Sequence, residues 1–155
     1  MLALDIAPNW EELGPVSEQA IAFLRDQKLS DEFVDAMTMT CCELLENALK
    51  YGPGSEPIKL HLYVEEQAVT VAIKNYVADS NLADLHRLDA MIQWIRGFQD
   101  PFQAYIERLK AVSAQNLSAG ESGLGLVRIA YEGHAILDFF LDENQMLNIS
   151  AVRLR

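Results

Sequence analysis

Cysteine is scarce in this chain of 155 residues: there are two, Cys41 and Cys42, side by side. Neighbours on a helix point about 100° apart, so the pair cannot readily bridge and a disulfide-stapled framework is not expected. A reducing cytosol suits them better, with both thiols serving as small packing residues. The three histidines, His61, His86 and His134, are scattered, and none has ligand spacing with a cysteine, so zinc has no support. No run approaches the roughly 20 apolar residues that a bilayer span requires. The stretch from Met1 to Pro8 also lacks the basic-then-apolar order of a signal peptide. Basic side chains are few, twelve against twenty-three acids, for a net charge of -11. Such a surface repels DNA, RNA and anionic lipid, and no basic run along the chain offsets it. These absences predict a cytoplasmic protein with a protein partner, and without nucleic-acid or membrane partners. A nucleotide stays open as a ligand, because a few well-placed groups can hold it against the overall field.

Hydrophobic residues make up 50% of the chain. The length suits one domain with a real core, and no repeat, linker or low-complexity tract divides it, so a single domain over 1–155 is expected. Val16, Ala20, Phe23 and Leu24 recur at helical spacing. Beyond a turn at Lys28–Ser30, Phe33, Met37, Cys41, Leu44 and Ala48 form the apolar stripe of a longer helix, which Gly52-Pro53-Gly54 ends. Ile58–Val64 and Val69–Ile73 alternate as two strands of a hairpin around Glu65-Glu66-Gln67. Leu82, Leu85, Leu88, Ile92 and Ile95 mark a third helix. A fourth starts at Pro101 with Asp100 as N-cap, and its buried side is read as Phe102, Tyr105, Leu109 and Val112. A polar loop, 116–122, leads to a short helix from Leu124 to Tyr131, and two strands close the chain around Asp142-Glu143-Asn144. The expected fold is α+β: a two-layer sandwich with helices on one face of a mixed, mainly antiparallel sheet.

Two segments carry chemistry. Glu43, Asn47 and Lys50 lie at i, i+4 and i+7 and stack on the face opposite the apolar stripe, with Glu46 beside them. An amide oxygen is a hard ligand suited to Mg²⁺, an ammonium neutralises phosphate, and a carboxylate accepts a proton from a hydroxyl. The polar side of any amphipathic helix reads the same way, so the spacing alone does not decide. Later, Gly120-Glu121-Ser122-Gly123-Leu124-Gly125-Leu126 places three glycines before and within a helix start. Glycines allow close backbone approach, and helix N-termini attract phosphate; a flexible glycine-rich cap is the plainer alternative.

Together these segments resemble a known family. Glu43 to Gly52 is similar to the N-box of the GHKL superfamily of gyrase, heat-shock chaperone, histidine-kinase and mismatch-repair ATPases, and Gly123 to Ala130 is similar to its second glycine box. Both stand in the family's order, and the likeness spans nearly the whole chain. Within the superfamily the chain is most like the anti-sigma-factor serine/threonine kinases, in particular the SiaB-like branch. The resemblance implies the histidine-kinase-like (Bergerat) ATPase fold, with ATP and Mg²⁺ as ligands. By the same resemblance Glu43 is the base, Asn47 the magnesium ligand, and Lys50 a phosphate contact. Gly120, Gly123, Leu124 and Gly125 would wrap the triphosphate. It also implies a small STAS-type anti-sigma-factor-antagonist partner as the serine or threonine substrate, and a possible homodimer.

The chain departs from the family at one point. The first glycine box, Asp-x-Gly-x-Gly, belongs after the strand ending at Ile73, where this chain reads Lys74-Asn75-Tyr76-Val77-Ala78-Asp79. Asn75 offers an acceptor oxygen for the adenine amino group, or it simply closes the strand into a turn; both readings stand. Two helices over about 82–114 replace the expected loop and short lid, either covering the nucleotide or presenting a surface to a partner. Trp94 and Phe98 fit either role, whereas Phe102 and Tyr105 are read as core. Arg128 is read as a surface residue with phosphate within its reach. The function expected is a regulatory protein kinase. The alternative is a partner-binding module with a degenerate nucleotide site.

Overall fold

The computed structural model describes residues 1–115 and 123–155. The chain opens with strand β1 (Leu2–Ile6), followed by helices α1 (Leu13–Asp26) and α2 (Asp31–Tyr51) and the hairpin of β2 (Ile58–Val64) and β3 (Ala68–Tyr76). Helices α3 (Leu82–Arg96), α4 (Pro101–Gln115) and α5 (Leu124–Tyr131) come next, and strands β4 (Ile136–Leu141) and β5 (Met146–Leu154) end the chain. The five strands form one sheet in the order β1-β2-β3-β5-β4. Every pairing is antiparallel, so the sheet is uniform rather than mixed. Strand β1 is an element that the sequence reading passed over as an opening segment. It pairs along β2 from Leu2 opposite Leu62 to Ile6 opposite Ile58. The architecture is an α+β two-layer sandwich.

Alternation along the strands sets the layers. Leu60, Leu62, Val69, Val71 and Ile73 point into the helical layer and are fully buried, while Lys59 and Tyr63 face outward. The apolar stripe of α2 meets them: Met37, Cys41 and Leu44 are completely buried, and Phe33 and Ala48 nearly so. This helix is well begun, since the Ser30 hydroxyl accepts from the Phe33 amide at 3.2 Å and Asp31 and Glu32 sit in its first turn. Because the buried stripe fixes the helix's rotation, Glu43, Asn47 and Lys50 are turned away from the core. Asp100 caps α4 as expected, accepting from the Phe102 amide at 3.0 Å. The buried side of α4 is not the one read from sequence. Phe102 is 39% exposed and Leu109 36%, Ala104 is the fully buried position, and Tyr105 packs half-buried on the core. The aromatic rings of Phe102 and Tyr105 instead flank Tyr131 of α5, at 5.2 and 5.4 Å between centroids. Periodicity located this helix but not the small residue on which it pivots. Among the described residues no helix is long and apolar enough to cross a membrane.

Candidate functional site

A cleft of about 1140 Å³ opens between α2, α3 and the start of α5. The outward face of α2 forms one wall and contributes Glu43, Glu46, Asn47 and Lys50. Gly123, Leu124 and Gly125, at the N-terminus of α5, line it as well, with Gly125 packed directly against Glu43. Asn75, Val77, Leu147 and Ile149 from β3, the segment after it and β5 make the floor, and Leu85, Leu88 and Met91 of α3 supply an apolar side. Seven of the eight residues singled out from the sequence thus line one cavity. The eighth, Gly120, lies in segment 116–122, outside the described residues. The two helices read as an insertion have different places: α3 lines the cleft with several residues, whereas α4 packs on α5 and adds Arg108 to the lining. Trp94 also lines the cleft at 38% exposure, its ring edge-on to Phe98 at 4.7 Å.

The glycines are required where they stand. Gly123 caps α5 in the left-handed region, at φ 69°, and a Cβ there would come within 2.7 Å of the Met91 Cε. Gly125 lies directly against the Glu43 carboxylate, so any side chain would displace it. The first amides of a helix lack intrahelical acceptors, and helix N-termini attract anions. That end of α5 therefore suits an anion.

Asn75 is 3% exposed, and among the described residues its Oδ1 has no hydrogen-bond partner. Its Nδ2 donates only a long 3.4 Å bond to the Tyr76 carbonyl. A buried acceptor without a donor costs about 1–3 kcal/mol. A ligand that brings an N–H to the cleft floor, as an adenine amino group does, would remove that cost.

Glu43 is the site's most constrained carboxylate. Its side chain is 16% exposed, and its Oε1 accepts from Arg128 Nη1 at 2.6 Å. Arg128 is anchored in turn on Glu132 Oε2, through Nη2 at 3.1 Å and Nε at 3.2 Å. Burial pushes the Glu43 carboxyl above its ordinary range; the pull of Arg128 opposes this, Glu46 adds to it, and Lys50 opposes it weakly. Desolvation outweighs the ion pair because the guanidinium itself reaches water. Burial likewise raises both Cys41 and Cys42, so neither thiol is a ready nucleophile.

The sequence reading missed the charge of this cleft. Lys50, Arg87, Arg108 and Arg128 line it against Glu43, Glu46 and Asp84, so four of the chain's twelve basic residues gather on a protein of net charge -11. They come from four different helices, and for that reason no basic run was visible. Asn47 lines the same cleft. Among the described residues no cluster of three histidine, cysteine or acidic side chains could hold a metal alone. The Asn47 amide is a donor that suits a hard cation arriving with phosphate oxygens and water, as Mg²⁺ does.

Comparison with known proteins agrees with the architecture. The chain is similar to a chain of the crystal structure of the SiaB–SiaC complex from Pseudomonas aeruginosa, with a TM-score of 0.75 and 19% identity. The match covers 99% of this chain and 89% of that one, and at such identity it speaks for the fold. No family model matches the sequence, and no curated protein matches it.

Proposed function

We propose that the chain binds Mg·ATP in this cleft and transfers the terminal phosphate to a serine or threonine of a small partner protein. The observation that carries the reading is the cleft itself, lined both by an acid, an amide and an amine of α2 and by the glycines at the start of α5. Asn75 at the floor would accept from the adenine amino group. Gly123 and Gly125 would let the α5 amides approach the phosphates, and Lys50 would neutralise their charge. Asn47 would ligate Mg²⁺, whose charge would offset that of the phosphates. Glu43 would take the proton of the attacking hydroxyl as its oxygen bonds to the terminal phosphorus, the bond to the leaving diphosphate breaking opposite. The neighbouring structure is a complex of SiaB with SiaC, which supports a protein partner; a STAS-type antagonist is the partner proposed.

Thermal melting with and without Mg·ATP tests the binding step. A ligand at a hundred times its Kd adds about 2.7 kcal/mol of stability, and no shift at millimolar Mg·ATP would refute the reading. A second reading, a partner-binding module that no longer uses ATP, has one observation on its side. The carboxylate assigned as base is already engaged by Arg128 at 2.6 Å. Phosphorylation of candidate partners with labelled ATP separates the two, since the module transfers nothing.

A further inference from the structure

We propose that Arg128 is a switch in this cleft: its guanidinium holds Glu43 until the terminal phosphate of a nucleoside triphosphate draws it away, so that nucleotide arrival frees the base. The inference rests on the nucleotide reading above and deepens it by giving the same site a trigger. Arg128 lies one turn into α5 and lines the cleft beside Gly123 and Gly125, where a triphosphate would lie. Two of its nitrogens are fixed on Glu132, at 3.1 and 3.2 Å, and only Nη1 reaches Glu43. Glu132 is thus a pivot: Nη1 can change partner while the rest of the fork stays anchored. A guanidinium pairs with phosphate as well as with carboxylate, and a terminal phosphate carries more charge than Glu43. The unpartnered, buried Asn75 oxygen on the cleft floor independently marks the cavity as built for a ligand.

The arrangement explains a conflict in the site. A carboxylate bonded to a guanidinium is a poor proton acceptor, yet Glu43 occupies the base position. Removing Arg128 from it leaves a half-buried carboxylate with a neighbouring acid, Glu46, on the same face. That environment favours protonation and so makes a better base.

Binding of Mg·ATP and Mg·ADP, measured by calorimetry on the full chain, tests the switch, because only ATP carries the terminal phosphate. Wild type should hold ATP more tightly than ADP. Arg128→Ala should lose roughly tenfold in ATP affinity with ADP affinity unchanged, and Arg128→Lys should recover part of the loss. Glu43→Gln, which removes the competitor for the guanidinium, should raise ATP affinity several-fold, and that gain should vanish in the double variant. Equal losses for ATP and ADP in Arg128→Ala, or no gain in Glu43→Gln, would overturn the switch and leave the nucleotide reading standing. A wild-type chain that binds neither nucleotide overturns both.

Discussion

Replacing Gly125 with alanine sets two physical effects of opposite sign against each other. Gly125 lies in the first turn of α5 with no positive φ, so alanine is conformationally acceptable, and by helix propensity alone it should stabilise by about 1 kcal/mol. The added Cβ, however, falls on the Glu43 carboxylate, with the carboxyl carbon at 3.2 Å. Retreat of the carboxylate would strain its bond to Arg128. A charge-assisted bond is worth about 1.5–3 kcal/mol when shielded, and with Arg128 40% exposed we take about 1–2 kcal/mol. Crowding a packed site adds about 1–3 kcal/mol where relaxation is incomplete. The net expectation is a loss of about 1–4 kcal/mol, or a Tm lower by roughly 3–12 °C for a chain of this size. In a Glu43→Ala background the obstacle is gone, since the remaining Glu43 Cβ sits at an ordinary 3.8 Å. There the same substitution should stabilise. Urea unfolding of the four members of this cycle reads the coupling directly. If Gly125→Ala stabilises the wild-type chain as much as it does the Glu43→Ala chain, the contact between Gly125 and Glu43 is not as described.

Glu43→Gln should raise Tm at pH 7–8. Burial holds the folded carboxyl above its unfolded value, so the stability it withholds is present below pH 4.5 and lost as pH rises through the folded pKa. A melting series down to pH 4 should show the advantage of the variant fading, and an advantage independent of pH would contradict the assignment. Asn75→Leu should fold as stably as wild type or gain about 1 kcal/mol, because it removes an unpaired buried oxygen; it should also abolish the Mg·ATP melting shift. Gly123→Ala should cost about 1–2 kcal/mol from the left-handed backbone. Met91→Ala relieves only the side-chain clash with the new Cβ, so full rescue by that second change would show that the backbone term was overstated.

Most of the fold was written in local pattern. The stripe from Phe33 to Ala48 and the alternation of Ile58–Val64 are periodic over their whole length, and burial follows them residue by residue. Two elements were harder to read, for reasons of length and size. Strand β1 is five residues long, too short for alternation to stand out, and it exists because Ile6 and its neighbours complete the sheet beside β2. Helix α4 turns on Ala104, whose small side chain gives periodicity little weight, while its larger Phe102 and Leu109 remain exposed. The site was legible where its residues are consecutive, as in Glu43–Lys50 and Gly123–Gly125. It was not legible where Arg87, Arg108 and Arg128 converge from separate helices, because no spacing along the chain encodes that meeting.

That convergence bears on how an acidic protein could admit a polyanion. At physiological ionic strength charges are screened beyond about 8 Å, so the net charge of -11 governs encounter with large partners but not the field inside a cleft lined by four basic side chains. An extended polyanion must cover the outer surface and meets repulsion there. A nucleotide is small enough to be enclosed by the cleft and meets mainly local charge. Separating the two length scales would let one chain repel an extended polyanion and still hold the proposed triphosphate. Nucleotide binding should weaken only modestly between 50 and 300 mM salt, since its charge contacts are sheltered. A steep decline over that range would place the bound nucleotide on the open surface, away from Lys50 and Arg128.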